Sequence, residues 1–182
     1  MNIVQIKDGK GKRRVALVEG ADLRLLKSVT TTLALAGRAL ADGTTLAKLA
    51  GSLVSSQVEN YAAALKERRV LAPVDHPDPA HCLVTGTGLT HLGSAAARDS
   101  MHKKLAAGEE NLTDSLKMFR MGLEAGKPRK GKAGVQPEWF YKGDGSWLVP
   151  PGGDLTRPSF ALDGGEEPEV AGLYLISPAG QP

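Results

Sequence analysis

With 182 residues, the chain is long enough for one domain, or for one small domain and part of another. Its formal charge of +3 is too small to argue for a nucleic-acid partner, and no apolar run approaches the roughly 18 to 20 residues that span a bilayer. The single cysteine, Cys82, excludes an internal disulfide and, with no apolar signal-peptide core between Met1 and Arg14, points to a reducing cytoplasm.

Asn2 to Ile6 alternates apolar and polar residues, Asp8-Gly9 supplies a turn, and Arg14 to Val18 continues as a second strand. That is the pattern of a β-hairpin. From Thr31 to about Arg69 the spacing is helical: Leu46, Leu49, Leu53, Val58, Tyr61 and Leu65 fall on one face, and Thr45 is placed to cap the start. Residues 1–72 therefore read as a small α+β N-terminal domain without chemistry of its own. Pro73 to Pro79, with His76-Pro77 and Asp78-Pro79, reads as a linker, because each proline biases its predecessor away from helix. A second domain is expected over 73–182.

In that second part, His81 to Val84 reads as a short apolar strand, with Cys82 a core residue rather than a nucleophile. Thr85 to Gly93 reads as a Gly/Thr-rich loop and Ser94 to about Ala106 as a helix. Thr113 to Leu123 reads as another helix, stopped by Gly126. Lys127, Arg129, Lys130 and Lys132 carry much of the positive excess in a Gly/Pro-rich stretch with no aromatic residue for base stacking. A solvated loop accounts for it. From Val135 onward the chain reads as all-β. Trp139 to Tyr141 and Trp147 to Val149 flank Asp144-Gly145 as a second hairpin, Pro150 to Gly153 makes a turn, and Glu167 to Ile176 is a last strand.

Three short constellations carry chemistry. On a strand, Glu167 and Glu169 point to the same side, roughly 6 to 7 Å apart at the backbone. Two such carboxylates repel unless a cation lies between them, and hard divalent ions take all-oxygen ligation; an exposed edge strand bearing charges, for which Pro168 is suited, explains the same residues. If Trp139 to Lys142 is extended, Phe140 and Lys142 share a face. Glu138, between Pro137 and Trp139, is then a candidate proton acceptor and Lys142 a candidate stabiliser of developing negative charge. The alternative is an ordinary half-buried strand with a snorkelling lysine. The segment Thr85 to His91 lacks both the third glycine of a dinucleotide fingerprint and the Lys-Ser/Thr ending of a P-loop. Beyond it, Ser94 and Arg98 share one helix face and suit a carboxylate, or serve as an N-cap and a surface arginine.

Taken in order, these residues resemble a known pattern. Lys142 before Gly-Asp-Gly-Ser, then Val149-Pro150-Pro151-Gly152, then Glu167-x-Glu169 ahead of an apolar strand resembles the fumarylacetoacetate hydrolase superfamily. Pro137-Glu138 ahead of Phe140-x-Lys142, with Pro168 between the glutamates, is similar to its 2-keto-3-deoxy sugar-acid dehydratases, the arabonate-type branch. Thr90, Ser94, Ala97 and Arg98 match that branch's Thr-aromatic-x-x-Ser-x-x-Ala-Arg segment, with His91 in the aromatic position.

The resemblance spans roughly Pro73 to Ile176 and implies a mainly-β catalytic domain, of which 73–182 would be the first, partial portion. It further implies Mg2+ on Glu167 and Glu169, with Mn2+ or Ca2+ as substitutes. Glu138 would transfer a proton, Lys142 would be its electrostatic partner, and Thr90, Ser94 and Arg98 would contact the carboxylate of a 2-oxo acid. His91 is a further catalytic candidate whose role stays open. The superfamily is commonly dimeric.

Two departures bear on this expectation. The hydrolytic members carry a His-x-x-Glu pair, whereas three residues after His91 comes Ser94, which favours dehydration over carbon–carbon bond hydrolysis of acylpyruvate-like acids. No Asp, Glu or His follows Glu169 to act as the third acidic ligand the resemblance implies, so the chain reads as truncated. Low activity is then expected of it alone, and a non-catalytic remnant or binding module is the reading from another class.

Overall fold

The computed structural model describes residues 1–87, 96–108, 112–126, 128–135, 139–164 and 170–180. It is a mixed α+β chain that divides into two compact units. One joins Met1–Cys82 with Gly145–Pro182, and the other is Leu83–Asp144. The linker read at Pro73 to Pro79 thus falls inside the first unit.

The expected hairpin forms from β1 (Ile3–Lys7) and β2 (Arg13–Glu19), with Val4 opposite Ala16 and Ile6 opposite Arg14. Asp8 builds its turn. Its Oδ1 accepts the N–H groups of Lys10 and Lys12, each at 2.9 Å, and its carbonyl accepts the Gly11 N–H at 2.8 Å. The Lys12 N–H is the main reason the Asp8 carboxyl lies below the ordinary carboxylate value. Burial opposes this, and the Lys10 N–H and the charges of Arg14 and Lys12 add to it.

A third strand, β3 (Asp22–Leu26), pairs antiparallel with β2, and β4 (Val54–Asn60) pairs with β3, giving the order β1-β2-β3-β4. Between β3 and β4 run α1 (Thr32–Ala41) and α2 (Leu46–Ser52), and α3 (Tyr61–Lys66) follows directly. Each helix opens on a side-chain cap: Thr31 accepts from Ala34, Thr45 from Lys48 and Asn60 from Ala63.

The helical reading from Thr31 to Arg69 is therefore corrected over Val54–Asn60. Val58 belongs to a strand whose ladder runs from Asn60 opposite Asp22 to Val54 opposite Leu26, and its helical spacing to Leu46 and Tyr61 is coincidental.

The sheet is covered on both faces. Val15, Leu17 and Leu26 pack with Leu35, Ala39, Leu49 and Ala50 of α1 and α2. Ala16, Leu23, Leu25 and Ile6 pack with Ala64 of α3 and with Val70. Burial on both faces is why Val15 to Val18 is an unbroken apolar run. Val70 bridges Ile6, and the flanking bonds Lys7 N–H to Arg69 and Leu71 N–H to Gln5, both 2.8 Å, lay the chain after α3 against the free edge of β1.

Gln5 is fully buried in this arrangement. Its Nε2 donates to the Ala72 carbonyl at 2.6 Å and to Asp75 at 3.3 Å, and its Oε1 accepts the Thr32 N–H at 2.8 Å. Arg13 meets Asp75 at 2.5 Å. Burial raises the Asp75 carboxyl, and the bonds and charge from Arg13 and Gln5 more than reverse this, leaving it below the ordinary value.

The rest of the first unit opens with a 3-10 turn at Pro79–His81, which Asp78 caps, packed beside another at Gly145–Trp147. Trp147 to Val149 is therefore not the second arm of a hairpin. Residues 170–176, read as the end of a last strand, carry no strand, and the described residues after Trp147 hold turns only, among them Gly153 N–H to Pro150 at 2.9 Å. The all-β expectation from Val135 is corrected accordingly: among the described residues of that stretch the one strand is β6, introduced with the second unit. No described helix is long and apolar enough to cross a membrane.

Candidate functional site

The second unit consists of β5 (Leu83–Thr87), α4 (Ala96–Ala106), α5 (Asp114–Ala125) and β6 (Trp139–Asp144). Both helices were expected, and Thr113 caps α5 by accepting the Leu116 N–H at 3.4 Å. Leu116 and Phe119 are buried, and the Phe119 ring meets His102 of α4 edge-on, with centroids 5.0 Å apart. The strand expected at His81 to Val84 begins later, at Leu83, because Pro79–His81 winds as a 3-10 turn. Cys82 is half-buried between them, against Gly145.

β5 and β6 pair antiparallel. Thr87 stands opposite Trp139, Gly86 opposite Phe140 and Thr85 opposite Tyr141. Val84 is then opposite Gly143 and Leu83 opposite Asp144. Between Val84 and Thr85 the register skips Lys142, making it the extra residue of a β-bulge. Bulges bend the strand and re-aim a side chain, and they recur beside active sites. Gly143, next along, has φ 143°, a backbone region that side chains with a Cβ avoid.

Phe140 and Lys142 lie close together, as the extended reading expects: the Lys142 ammonium is 5.5 Å from the Phe140 ring centroid, within cation–π range. Opposite them, a Cβ on Gly86 would come within 2.5 Å of Phe140 Cζ and 2.9 Å of Lys142 Cε. Gly86 thus leaves the space that the ring and the lysine stem fill. A glycine inside a strand signals such a close approach, but reading the segment from Thr85 as a loop concealed it.

Of the residues singled out for chemistry, Lys142 is the one whose side chain is described. Arg98 lies in the first turn of α4. Thr90, His91 and Ser94, Glu138, and the pair Glu167 and Glu169 lie outside the described residues. The ladder nonetheless relates two motifs through their neighbours in sequence. Trp139, directly after Glu138, pairs with Thr87, three residues before Thr90. The fit of a divalent ion to Glu167 and Glu169 falls on residues outside the description, and among the described residues no group of three His, Cys, Asp or Glu side chains could hold a metal. Comparison with family models, with curated proteins and with solved structures finds no match to this chain.

Proposed function

We propose that the chain acts as a magnesium-dependent lyase that dehydrates a 2-keto-3-deoxy sugar acid. In this reading residues 73–182 contribute to a mainly-β catalytic domain like that of fumarylacetoacetate hydrolases, and 1–72 form a small accessory domain. The observation that supports it is the β5–β6 ladder. It joins the strand that follows Glu138 and bears Lys142 to the strand that leads toward Thr90, Ser94 and Arg98, with a bulge at Lys142.

Ser94 and Arg98 hold the substrate carboxylate as a charge-assisted pair of contacts, with Thr90 beside them. Glu138 takes the proton from carbon 3, and the freed electron pair forms the carbon 2–carbon 3 bond as charge moves onto the keto oxygen, where Lys142 stabilises it. Collapse of the enolate restores the keto group and forms the carbon 3–carbon 4 double bond, while the carbon 4 hydroxyl takes the proton held by Glu138 and leaves as water. Glu167 and Glu169 would hold magnesium, which would supply Lewis-acid polarisation of the keto group.

Purified chain is incubated with magnesium and a 2-keto-3-deoxy pentonate, and the products are identified. Dehydration yields a semialdehyde; the related hydrolysis of a diketo acid yields two acids. Glu138→Gln and Lys142→Met are each expected to lower turnover by about a hundredfold or more. A semialdehyde formed equally well after chelation of magnesium, or by Glu138→Gln, overturns the assignment.

One observation favours a second reading, a non-catalytic binding module. The described residues after Glu169 form no strand and leave Val170, Leu173 and Tyr174 exposed, whereas a shared face for the two glutamates calls for a strand. Calorimetry with oxalate separates the two readings. Binding that requires magnesium supports the lyase, and its absence supports the module.

A further inference from the structure

A cavity of about 530 Å3 opens where β2 begins beside the loop that joins β3 to α1, and Lys12, Arg13, Arg14, Leu26, Ser28 and Thr30 line it. Three consecutive cations face two carboxylates. Asp75 holds Arg13 at 2.5 Å and Asp8 approaches Arg14 at 3.8 Å, which leaves one positive charge in excess. Lys12 provides that excess: its ammonium makes no hydrogen bond or ion pair among the described residues.

The guanidinium groups are only partly used. Arg14 gives Nη2 to the Leu26 carbonyl and to Gln57, and Arg13 gives Nη2 to Asp75. The Nε of Arg13 is buried and has no acceptor. Ser28 and Thr30 bring neutral hydroxyl donors to the lining, Ser28 at φ 61°, a conformation non-glycine residues seldom hold. The neighbouring hollow shares Lys12 and Arg14 but also takes in Asp8 and Glu59, so its charge is mixed and it does not select for anions.

We propose that the Lys12-Arg13-Arg14 cavity binds a small ligand through an oxyanion, a phosphate or a carboxylate. It uses none of the residues of the proposed reaction. The test is an amide chemical-shift titration of the full chain at low ionic strength, with inorganic phosphate in one arm and acetate in the other. Sodium chloride at matched ionic strength is the control.

Saturable shifts confined to Lys12–Arg14 and Ser28–Thr30 are expected, and the tighter arm identifies the ligand's acidic group. Lys12→Ala removes a side chain that makes no hydrogen bond or ion pair among the described residues and acts only as a distant charge on Asp8, so it changes the melting temperature little while weakening the anion about tenfold. Lys48→Ala, an exposed lysine on α2, leaves the affinity unchanged. Linear, unsaturated shifts in both arms overturn the proposal. So do shifts that chloride reproduces, or equal losses from the two lysine variants.

Discussion

Gly86 shows how much can hang on a hydrogen atom. Because Phe140 Cζ would stand 2.5 Å from a Cβ there, Gly86→Ala forces the ring and the Lys142 stem to move or the strands to part. Urea unfolding of this variant should show a loss of about 1 to 3 kcal/mol, the usual cost of overpacking. Adding Phe140→Ala should recover part of that loss, since the two changes act on the same space. Purely additive losses would mean that the glycine and the ring do not compete.

Gln5 is the polar counterpart. Gln5→Ala leaves the part-buried Thr32 N–H and the buried Ala72 carbonyl without their partner, and a cost of about 1 to 3 kcal/mol is expected. A denaturation midpoint like that of the parent would show that water replaces the amide.

At the scale of elements, the side chains that begin and turn the chain were readable and the pairing was not. Thr45 caps a helix, and Asp8-Gly9 turns the first hairpin, because a cap or turn is satisfied by residues a few positions away. β4 was hidden because Val54 to Asn60 acquires its meaning from Asp22 to Leu26, some thirty residues earlier. Asp144-Gly145 misled for a related reason. Asp144 is already paired across to Leu83, so the chain winds into a 3-10 turn instead of returning as a hairpin. Within the candidate site, residue types and their order were legible. The bulge at Lys142 and the gap at Gly86 were not, since both follow from the register of β6 against β5.

The same scale carries a pH prediction. Asp75 clamps the segment after α3 to β2 through Arg13, and Asp8 clamps the β1–β2 turn. Both carboxyls lie below their ordinary value of 3.8 in the folded chain. Once the pH approaches that value, the unfolded chain binds protons that the folded chain refuses, so stability is complete above it and declines as the pH falls through it toward the folded values. Midpoints from urea unfolding should be level at neutral pH and begin to fall near pH 5, about one unit above the ordinary value. Asp75→Asn should be less stable at neutral pH and show a shallower acid decline. An acid limb of unchanged slope in that variant would remove Asp75 as a source.

For the whole molecule, the contrast within the first unit sets the order in which it opens. The four-stranded sheet has both faces covered, with Val15, Ala16 and Leu23 fully buried. From 148 to 180 the backbone–backbone bonds of the described residues close single turns, while Leu155, Phe160, Leu162 and Tyr174 stand exposed. Regions with few buried apolar contacts open at low free energy, and core strands open only with the whole. Amides of Val15 to Leu17 and Leu23 to Leu25 should therefore exchange slowest, at a rate set by global unfolding. Those of residues 155–160 and 170–176 should exchange almost at the rate of free peptide. Chymotrypsin should cut first at Phe160, Leu162 or Tyr174 and leave the sheet intact, as read by mass. If those sites resist cleavage as the sheet does, another surface covers these side chains in solution. Concentration dependence of the protection would then reveal whether that surface belongs to a second copy of the chain.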